Sequence, residues 1–351
     1  MAFARLAEST QSLYSELLDQ LIAAEAERVP LMPRRGSFVS KVVRGRRYWY
    51  WQQLEGGRKS QRYVGPESEQ LLAHMRAVDE QRERTIPDAT RRAQLVDMLA
   101  AGGAKREAAA VTRVLEVLAD AGLFQLGAVI VGTQAFTCYE NMLGVRFERA
   151  TTRTQDIDLA QERSIDVALA PEPSRLDLLE TLRRAEPAFL PVPELDPRSP
   201  STSFKVRGRD LRVDLVTPAR GRSAGPVSIP WLGAAATPLP FLGYLIEETA
   251  QTAVIGGSGV LVNVPRPGRY ALHKLWLARQ RPVSEQVKAR KDLQQAELLL
   301  EVLLVDRPQE IHEGWSALER RVRERKAIRN GLVSGRRGTA LAEAAALLGH
   351  T

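Results

Sequence analysis

The chain has 351 residues and a formal net charge of +8, with 44% hydrophobic and 26% charged residues. This composition is typical of a folded protein of roughly two or three domains, and it excludes an intrinsically disordered chain. No apolar segment is long enough to cross a bilayer, and the single cysteine, Cys138, excludes an internal disulfide or a cysteine-based zinc site. Since the N-terminus does not resemble a secretion signal, we expect a cytoplasmic protein without a membrane partner.

The first predicted domain, residues 1–86, combines helices with a small sheet. Leucines at helical spacing predict a helix over residues 9–28. Glycine-containing turns separate three predicted strands, which cover residues 37–43, 47–53 and 60–64. The segment 67–84 is again helical in pattern, and Pro87 predicts a linker to the second domain.

The predicted sheet is strongly basic. Nine basic residues and one acidic residue, Glu55, lie in the window 34–65, so this window carries a net charge equal to that of the whole chain. Strand alternation places Tyr48 and Tyr50 on one face and Trp49 and Trp51 on the other. Cations interleaved with aromatic rings favour binding of nucleic acid, either tRNA or DNA. The residues predicted to contact it are Arg44, Arg46, Arg47, Trp49, Trp51, Arg58, Lys59 and Arg62.

A structural interpretation of the same window is also open. A sheet of about thirty residues needs its aromatic side chains as a core. In that case the cations only keep the domain in solution.

The second predicted domain, residues 91–265, alternates strands and helices, and the third, residues 266–351, is helical. A helix is predicted over residues 91–121 and a continuous apolar strand over 126–131, followed at once by a short helix to Met142. Further predicted strands cover residues 157–159, 165–168, 204–206 and 211–216, with a helix over 174–184.

Three acidic residues and a glycine junction stand out in the second domain. The strand that ends at Gly132-Thr133 passes directly into a helix, whose unpaired backbone N–H groups suit a phosphate. Asp156 and Asp158 share one face of a strand because side chains alternate with period two, and Asp214 lies in a later apolar strand. Converging carboxylates favour Mg²⁺, and two such ions suit in-line displacement at a phosphate. By itself, an Asp-x-Asp pair is also common on an exposed strand face or in a turn.

The order of these elements resembles the polymerase-β nucleotidyltransferase superfamily. Residues 131–136 (VGTQAF) and 154–160 (TQDIDLA) are most similar to bacterial minimal and abortive-infection-type nucleotidyltransferases. Residues 272–275 (LHKL) and 289–293 (ARKDL) are similar to the C-terminal helices of those toxins, and the resemblance covers residues 91–304. It implies an α+β fold: a mixed sheet with flanking helices and a C-terminal helical domain, beside the small basic β domain.

The resemblance also implies roles for the acidic residues and the junction. Asp156 and Asp158 would bind two Mg²⁺ ions, and Asp214 would complete one metal site and act as the general base. Gly132 and Thr133 would hold the triphosphate of an NTP such as ATP, although Thr133 stands where the family usually has glycine or serine.

The C-terminal helices have two interpretations. By the resemblance, Lys274 would reach a phosphate; alternatively, it is exposed to solvent or forms a salt bridge to Asp292. We expect Arg290 and Asp292 to form a structural ion pair, and Cys138 to be a small core residue.

The implied activity is transfer of a nucleoside monophosphate from NTP to an acceptor hydroxyl on an RNA end, a protein or a small molecule. The resemblance places such an enzyme among toxins or defence components, with an antitoxin as partner. The alternative function is non-catalytic: a nucleotidyltransferase-fold protein that binds nucleic acid through its basic N-terminal domain.

Overall fold

The computed structural model describes residues 3–26, 37–43, 45–55, 58–148, 155–162, 176–194, 200–221, 225–336 and 338–349. Arg44 and the predicted strand at residues 165–168 lie outside these ranges. The described residues form mixed helices and sheets, which confirms the predicted α+β class.

The N-terminal part contains the predicted helix and three-stranded sheet. Its elements are β1 (Phe3–Arg5), α1 (Glu8–Ala26), β2 (Ser37–Val43), β3 (Arg46–Glu55), β4 (Arg58–Pro66) and α2 (Glu69–Ala101). Strands β2, β3 and β4 pair antiparallel in that order. Helix α1 buries Tyr14, Leu17 and Leu21, whose helical spacing puts them on one face. This face packs against Leu95 and Leu99 of α2 in a small core.

The linker predicted at Pro87 is wrong, because α2 is continuous from residue 69 to residue 101. Ser68 caps its start by accepting a hydrogen bond from the Leu71 N–H. A proline inside a helix costs about 3 kcal/mol, and the packing of Leu95 and Leu99 against α1 stabilises the helix despite that cost. The chain instead breaks at Gly102 and at Gly103, whose φ is +89°, so the predicted helix over residues 91–121 divides here.

The central mixed sheet and its helices follow, together with a short strand, residues 145–147, that pairs with β1 instead of joining this sheet. The elements are α3 (Ala109–Asp120), β5 (Val129–Val131), α4 (Gly132–Met142), β6 (Val145–Phe147), β7 (Asp156–Ala160), α5 (Leu178–Ala185), β8 (Phe189–Pro191), β9 (Ser203–Val206), β10 (Arg212–Pro218), β11 (Val227–Ile229), β12 (Ala234–Leu239) and α6 (Leu242–Ile246). Strand β10 lies at the centre, with β7 parallel along one edge. Its other edge pairs first with β9, antiparallel, and then with β12, parallel.

A hairpin and a helical region complete the chain. They comprise β13 (Thr249–Val254), β14 (Val260–Pro265), α7 (Pro267–Gln280), α8 (Gln286–Asp306), α9 (Pro308–Ser316), α10 (Val322–Val333) and α11 (Ala340–Leu347). Helix α7 packs against α8, α9 and α10, and Gly268 lets α9 approach so closely that a Cβ atom would strike the Glu310 carbonyl. The helical character predicted beyond Pro267 is confirmed. Within the described ranges, no helix combines the length and the apolar character that a membrane crossing requires.

Candidate active site

The three predicted aspartates lie on two adjacent parallel strands. In the register of β7 and β10, Asp158 is directly opposite Asp214, and Asp156 is opposite Arg212. Matched positions of paired strands point to the same face of a sheet, and so do residues two apart in one strand. The structure therefore brings Asp156, Asp158 and Asp214 to one face.

The carboxylates at this face repel one another. Burial, followed by the charge of Asp214, raises the pKa of Asp158 to about 6. The same two causes, in the same order, raise the pKa of Asp156. Positive charge near the site lowers these pKa values only in part, so a further cation at this face would stabilise the ionised carboxylates.

Arg212 supplies part of the counter-charge. Its Nε donates hydrogen bonds of 2.8 Å to Asp214 Oδ1 and of 2.8 Å to Ser203 Oγ on the neighbouring strand β9. The guanidinium also lowers the pKa of both Asp156 and Asp158. Because the Arg212 side chain is about half exposed, it is held at the site by these few contacts and not by burial.

The donor set fits magnesium in chemistry, since Mg²⁺ prefers carboxylate oxygens. As the side chains are oriented, however, no three acidic, histidine or cysteine groups converge on a metal position within the described residues. Arg212 engages one oxygen of the Asp214 carboxylate, which lies on the strand position opposite Asp158. A metal at this face would therefore compete with the Arg212 guanidinium.

The glycine junction lies against the aspartates. Strand β5 pairs with β7 so that Val131 is opposite Asp158, and α4 begins at the next residue, Gly132. Gly132 has a φ of +65°, and a Cβ atom built on it would collide with Asp158 Oδ2. Glycine is required here on both grounds. The start of α4, with its unpaired N–H groups, is thereby placed beside the carboxylate face.

Two residues from the C-terminal helices hold the junction. The Tyr270 hydroxyl of α7 donates a hydrogen bond of 2.8 Å to the Gly132 carbonyl. The Lys291 ammonium of α8 donates a hydrogen bond of 3.0 Å to Thr133 Oγ1, and its charge lowers the pKa of Asp156. Lys291 was not predicted as a site residue, although it lies in the segment 289–293 whose resemblance to the toxin helices was a usable signal.

Lys274 is paired and does not point into an open site. Its Nζ lies 2.6 Å from Asp292 Oδ1, with both side chains buried, which is the salt bridge predicted as one alternative. The second oxygen of Asp292 accepts from Arg281 Nε at 3.1 Å. The predicted Arg290–Asp292 ion pair is therefore wrong, and Arg290 is exposed. Burial lowers the pKa of Lys274, whose charge in turn lowers the pKa of Asp158.

The basic sheet departs from the prediction in its aromatic residues. Trp51 is only 5% exposed and packs edge-on against Phe38 at 4.8 Å, so its ring is not available for base stacking. The Trp49 indole donates to Glu67 Oε2 at 3.1 Å, and Arg47 contacts the same oxygen. Arg44 and the side chains of Arg58 and Arg62 lie outside the described part of the chain, whereas Arg46 and Lys59 are exposed.

Comparisons with known proteins give two family matches. Residues 9–73 match a family described as "Domain of unknown function (DUF6788)", and residues 109–319 match one described as "Nucleotidyltransferase". No curated protein and no solved structure matches the chain. The second match spans more than half of the sequence and contains the glycine junction, the three aspartates, Lys274 and Lys291. The chain therefore belongs to the nucleotidyltransferase family.

Proposed function

We propose that this protein is a Mg²⁺-dependent nucleotidyltransferase, with a catalytic sheet of the polymerase-β type, that moves a nucleoside monophosphate from NTP to an acceptor hydroxyl. The observation that carries the proposal is the register of Asp158 opposite Asp214, directly beside the Gly132 junction. This arrangement supports a phosphate site at the start of α4 beside a metal site at the carboxylate face.

The triphosphate binds at the start of α4. The backbone N–H groups there are unpaired within the helix and carry the positive end of its dipole. The Thr133 hydroxyl and the Lys291 ammonium lie 3.0 Å apart, so both reach the same phosphate oxygen region. A charge-assisted contact from Lys291 is the stronger of the two.

The carboxylates act on the other side of the phosphate. Asp156 and Asp158 would hold Mg²⁺, with Asp214 completing one of the metal sites, and the ion would supply positive charge that neutralises the phosphates. The acceptor oxygen forms a bond to the α-phosphorus while the bond from that phosphorus to the bridging oxygen breaks, and pyrophosphate leaves. The Asp214 carboxylate takes the proton of the acceptor hydroxyl.

Lys274 has a positioning role in this scheme. It is bonded to Asp292 behind the site, and its charge favours the ionised form of Asp158. Lys291 replaces Lys274 as the lysine that contacts phosphate, since Lys291 is the one bonded at the junction.

The test is transfer of label from each NTP carrying radioactive α-phosphate to total RNA or to protein, with and without Mg²⁺. We expect transfer by the wild type and a loss of at least about 100-fold in Asp158→Asn and Asp214→Asn. Glu162→Gln is the matched control, because Glu162 lies just beyond the far end of β7 in an exposed ion pair with Arg220. Equal transfer by the wild type and both asparagine variants would show that the site is elsewhere.

A wild-type protein with neither transfer nor Mg²⁺-dependent NTP binding would instead indicate a non-catalytic scaffold. A toxin or defence role, with an antitoxin as partner, would appear as growth arrest on expression. Asp158→Asn relieves this arrest if the transfer reaction causes it.

A further inference from the structure

The two faces of the β2–β3–β4 sheet differ in what covers them. On one face, which we call the tryptophan face, Trp51 is buried against Phe38, and Trp49 is bonded to Glu67. These contacts supply the buried aromatic core that a sheet of this size needs. The rings on the opposite face are therefore not required for that purpose.

The opposite face carries three tyrosines, of which Tyr48 and Tyr50 each lie near the Tyr63 ring, and we call it the tyrosine face. Tyr50 and Tyr63 are register partners on β3 and β4, with ring centroids 5.6 Å apart. The centroids of the Tyr48 and Tyr63 rings are 6.3 Å apart on the same face. Tyr63 is 54% exposed, so a large apolar ring faces solvent at the centre of an aromatic strip.

Cations surround this strip. The Lys41 ammonium lies 4.9 Å from the centroid of the Tyr50 ring. The register places Lys41, Arg46 and Lys59 at positions of the tyrosine face, and all three are exposed. None of the described residues at positions of this face is acidic. Its charge complements a polyanion, whereas the tryptophan face has Glu67 at its edge.

Two amides lie at the end of the strip. Gln52 and Gln61 are register partners next to Tyr50 and Tyr63, and Gln61 Nε2 donates to Gln52 Oε1 at 2.7 Å. Each amide keeps further donor and acceptor capacity, which suits a hydroxyl group that both donates and accepts.

We propose that the tyrosine face binds single-stranded RNA. Bases stack on Tyr63 and its neighbours, because every unstacked base has a π-face that an aromatic side chain accepts. Lys41, Arg46 and Lys59 contact the phosphates, and the Gln52–Gln61 pair contacts a ribose 2′-hydroxyl, which DNA lacks. This binding does not need the aspartates of the nucleotidyltransferase site, so it is independent of the proposed transfer reaction.

The first experiment measures binding of a fluorescent, unstructured RNA of about 12 nucleotides to the full chain by anisotropy. Tyr63→Leu keeps the apolar volume but removes the π-face, and we expect Kd to rise about tenfold. Tyr63→Phe keeps the ring, and we expect an unchanged Kd. Val42→Ala is the control on the tryptophan face, because Val42 is 65% exposed there and is expected to leave Kd unchanged.

The second experiment measures the dependence of Kd on salt. Each cation that contacts a phosphate contributes about 0.7 to the slope of log Kd against log salt for a single strand. The double variant Lys41→Gln/Arg46→Gln removes two cations, so we expect it to lower the slope of log Kd against log salt by about 1.4. Lys288→Gln, which removes an exposed lysine on α8, is expected to leave it unchanged.

Several outcomes overturn the proposal. The proposal is wrong if the wild type does not bind the RNA. It is also wrong if Tyr63→Leu has the same Kd as the wild type and the double variant of Lys41 and Arg46 has the same salt slope. Equal affinity for DNA of the same sequence refutes recognition of the ribose, and tighter binding of duplex RNA refutes single-strand stacking. If circular dichroism shows that Tyr63→Leu is unfolded, the Tyr63→Phe result and the salt slope decide. A catalytically inactive Asp158→Asn variant that binds RNA as the wild type does separates this surface from the transfer site.

Discussion

Two neighbouring groups of charged side chains in this protein differ in how completely their charges are balanced. Behind the site, Asp292 is buried between Lys274 and Arg281, and each of its oxygens has a cationic donor. At the site, Asp158 and Asp214 face each other across β7 and β10, and the pKa of Asp158 is raised to about 6. The charges of the first group are balanced by its own side chains, whereas those of the second are balanced only in part. Substitutions should therefore affect stability in opposite directions in the two groups.

The largest expected effect is on the balanced group. Asp292→Ala leaves the buried Lys274 ammonium without its partner, and we expect the free energy of unfolding to fall by about 3–5 kcal/mol in urea denaturation. Lys274→Met combined with Asp292→Leu removes both charges and fills the space, so its cost should be much smaller. If Asp292→Ala is as stable as the wild type, the Lys274–Asp292 pair has no structural role.

The glycine junction gives the next effect, and the chain offers a matched control for it. Gly132 and Gly127 both have positive φ, of +65° and +82°, so alanine at either position costs about 1–2 kcal/mol in backbone strain. The new Cβ atom collides with Asp158 at Gly132, whereas the space around Gly127 is open. We expect Gly132→Ala to weaken Mg²⁺-dependent NTP binding at least about tenfold in calorimetry, while Gly127→Ala leaves it unchanged. Equal binding by the two variants would show that NTP does not bind at this junction.

The dependence of stability on pH tests the unbalanced group. The pKa of Asp158 is higher in the folded protein, about 6, than its ordinary value of 3.8, mainly through burial and next through Asp214. Its protonation therefore stabilises the fold fully below pH 3.8, and this stabilisation is lost as pH rises through about 6. Asp158→Asn removes the effect, so without metal it should exceed the wild type in stability at pH 8 by about 1–3 kcal/mol, nearer the lower value because the side chain is half-buried.

Saturating Mg²⁺ should reverse that order at pH 8, because the ion stabilises the wild type only. Urea denaturation at several pH values, with and without the ion, measures both effects. An asparagine variant that is less stable than the metal-free wild type at pH 8 would show that the carboxylates are already balanced.

The sequence predicted the parts of this comparison that depend on local pattern. Period-two alternation places Asp156 and Asp158 on one face, and strand β7 confirms that geometry. A glycine followed at once by a helix is equally local, and α4 begins there. The register that sets Asp158 opposite Asp214 is a pairing between distant strands, and no local pattern specifies it.

The other departures also arise from long-range packing. Lys291 meets Thr133 across 158 residues of sequence, so the sequence indicated the helix but not the contact. Alternation separated the tyrosines from the tryptophans of the basic sheet, yet which face is buried depends on Phe38, Trp51 and their surroundings. Proline generally ends helices, and at Pro87 the packing of α2 against α1 overrides that preference.

The smallest expected effect concerns Arg212, which balances part of the negative charge at the site through its contact with Asp214. Its guanidinium neutralises Asp214 from a half-exposed position, so the contact contributes only about 0.2–1 kcal/mol. If this contact competes with the metal, Arg212→Gln should tighten Mg²⁺ binding about two- to fivefold in calorimetry, because the ion no longer displaces a cation. Arg209→Gln, which breaks an exposed ion pair with Glu186 in the adjacent turn, is the control and should leave the affinity unchanged. Weaker Mg²⁺ binding by Arg212→Gln would mean that the guanidinium helps to orient Asp214 toward the ion. The guanidinium and Mg²⁺ would then neutralise the carboxylates together, and the ion would not displace the guanidinium.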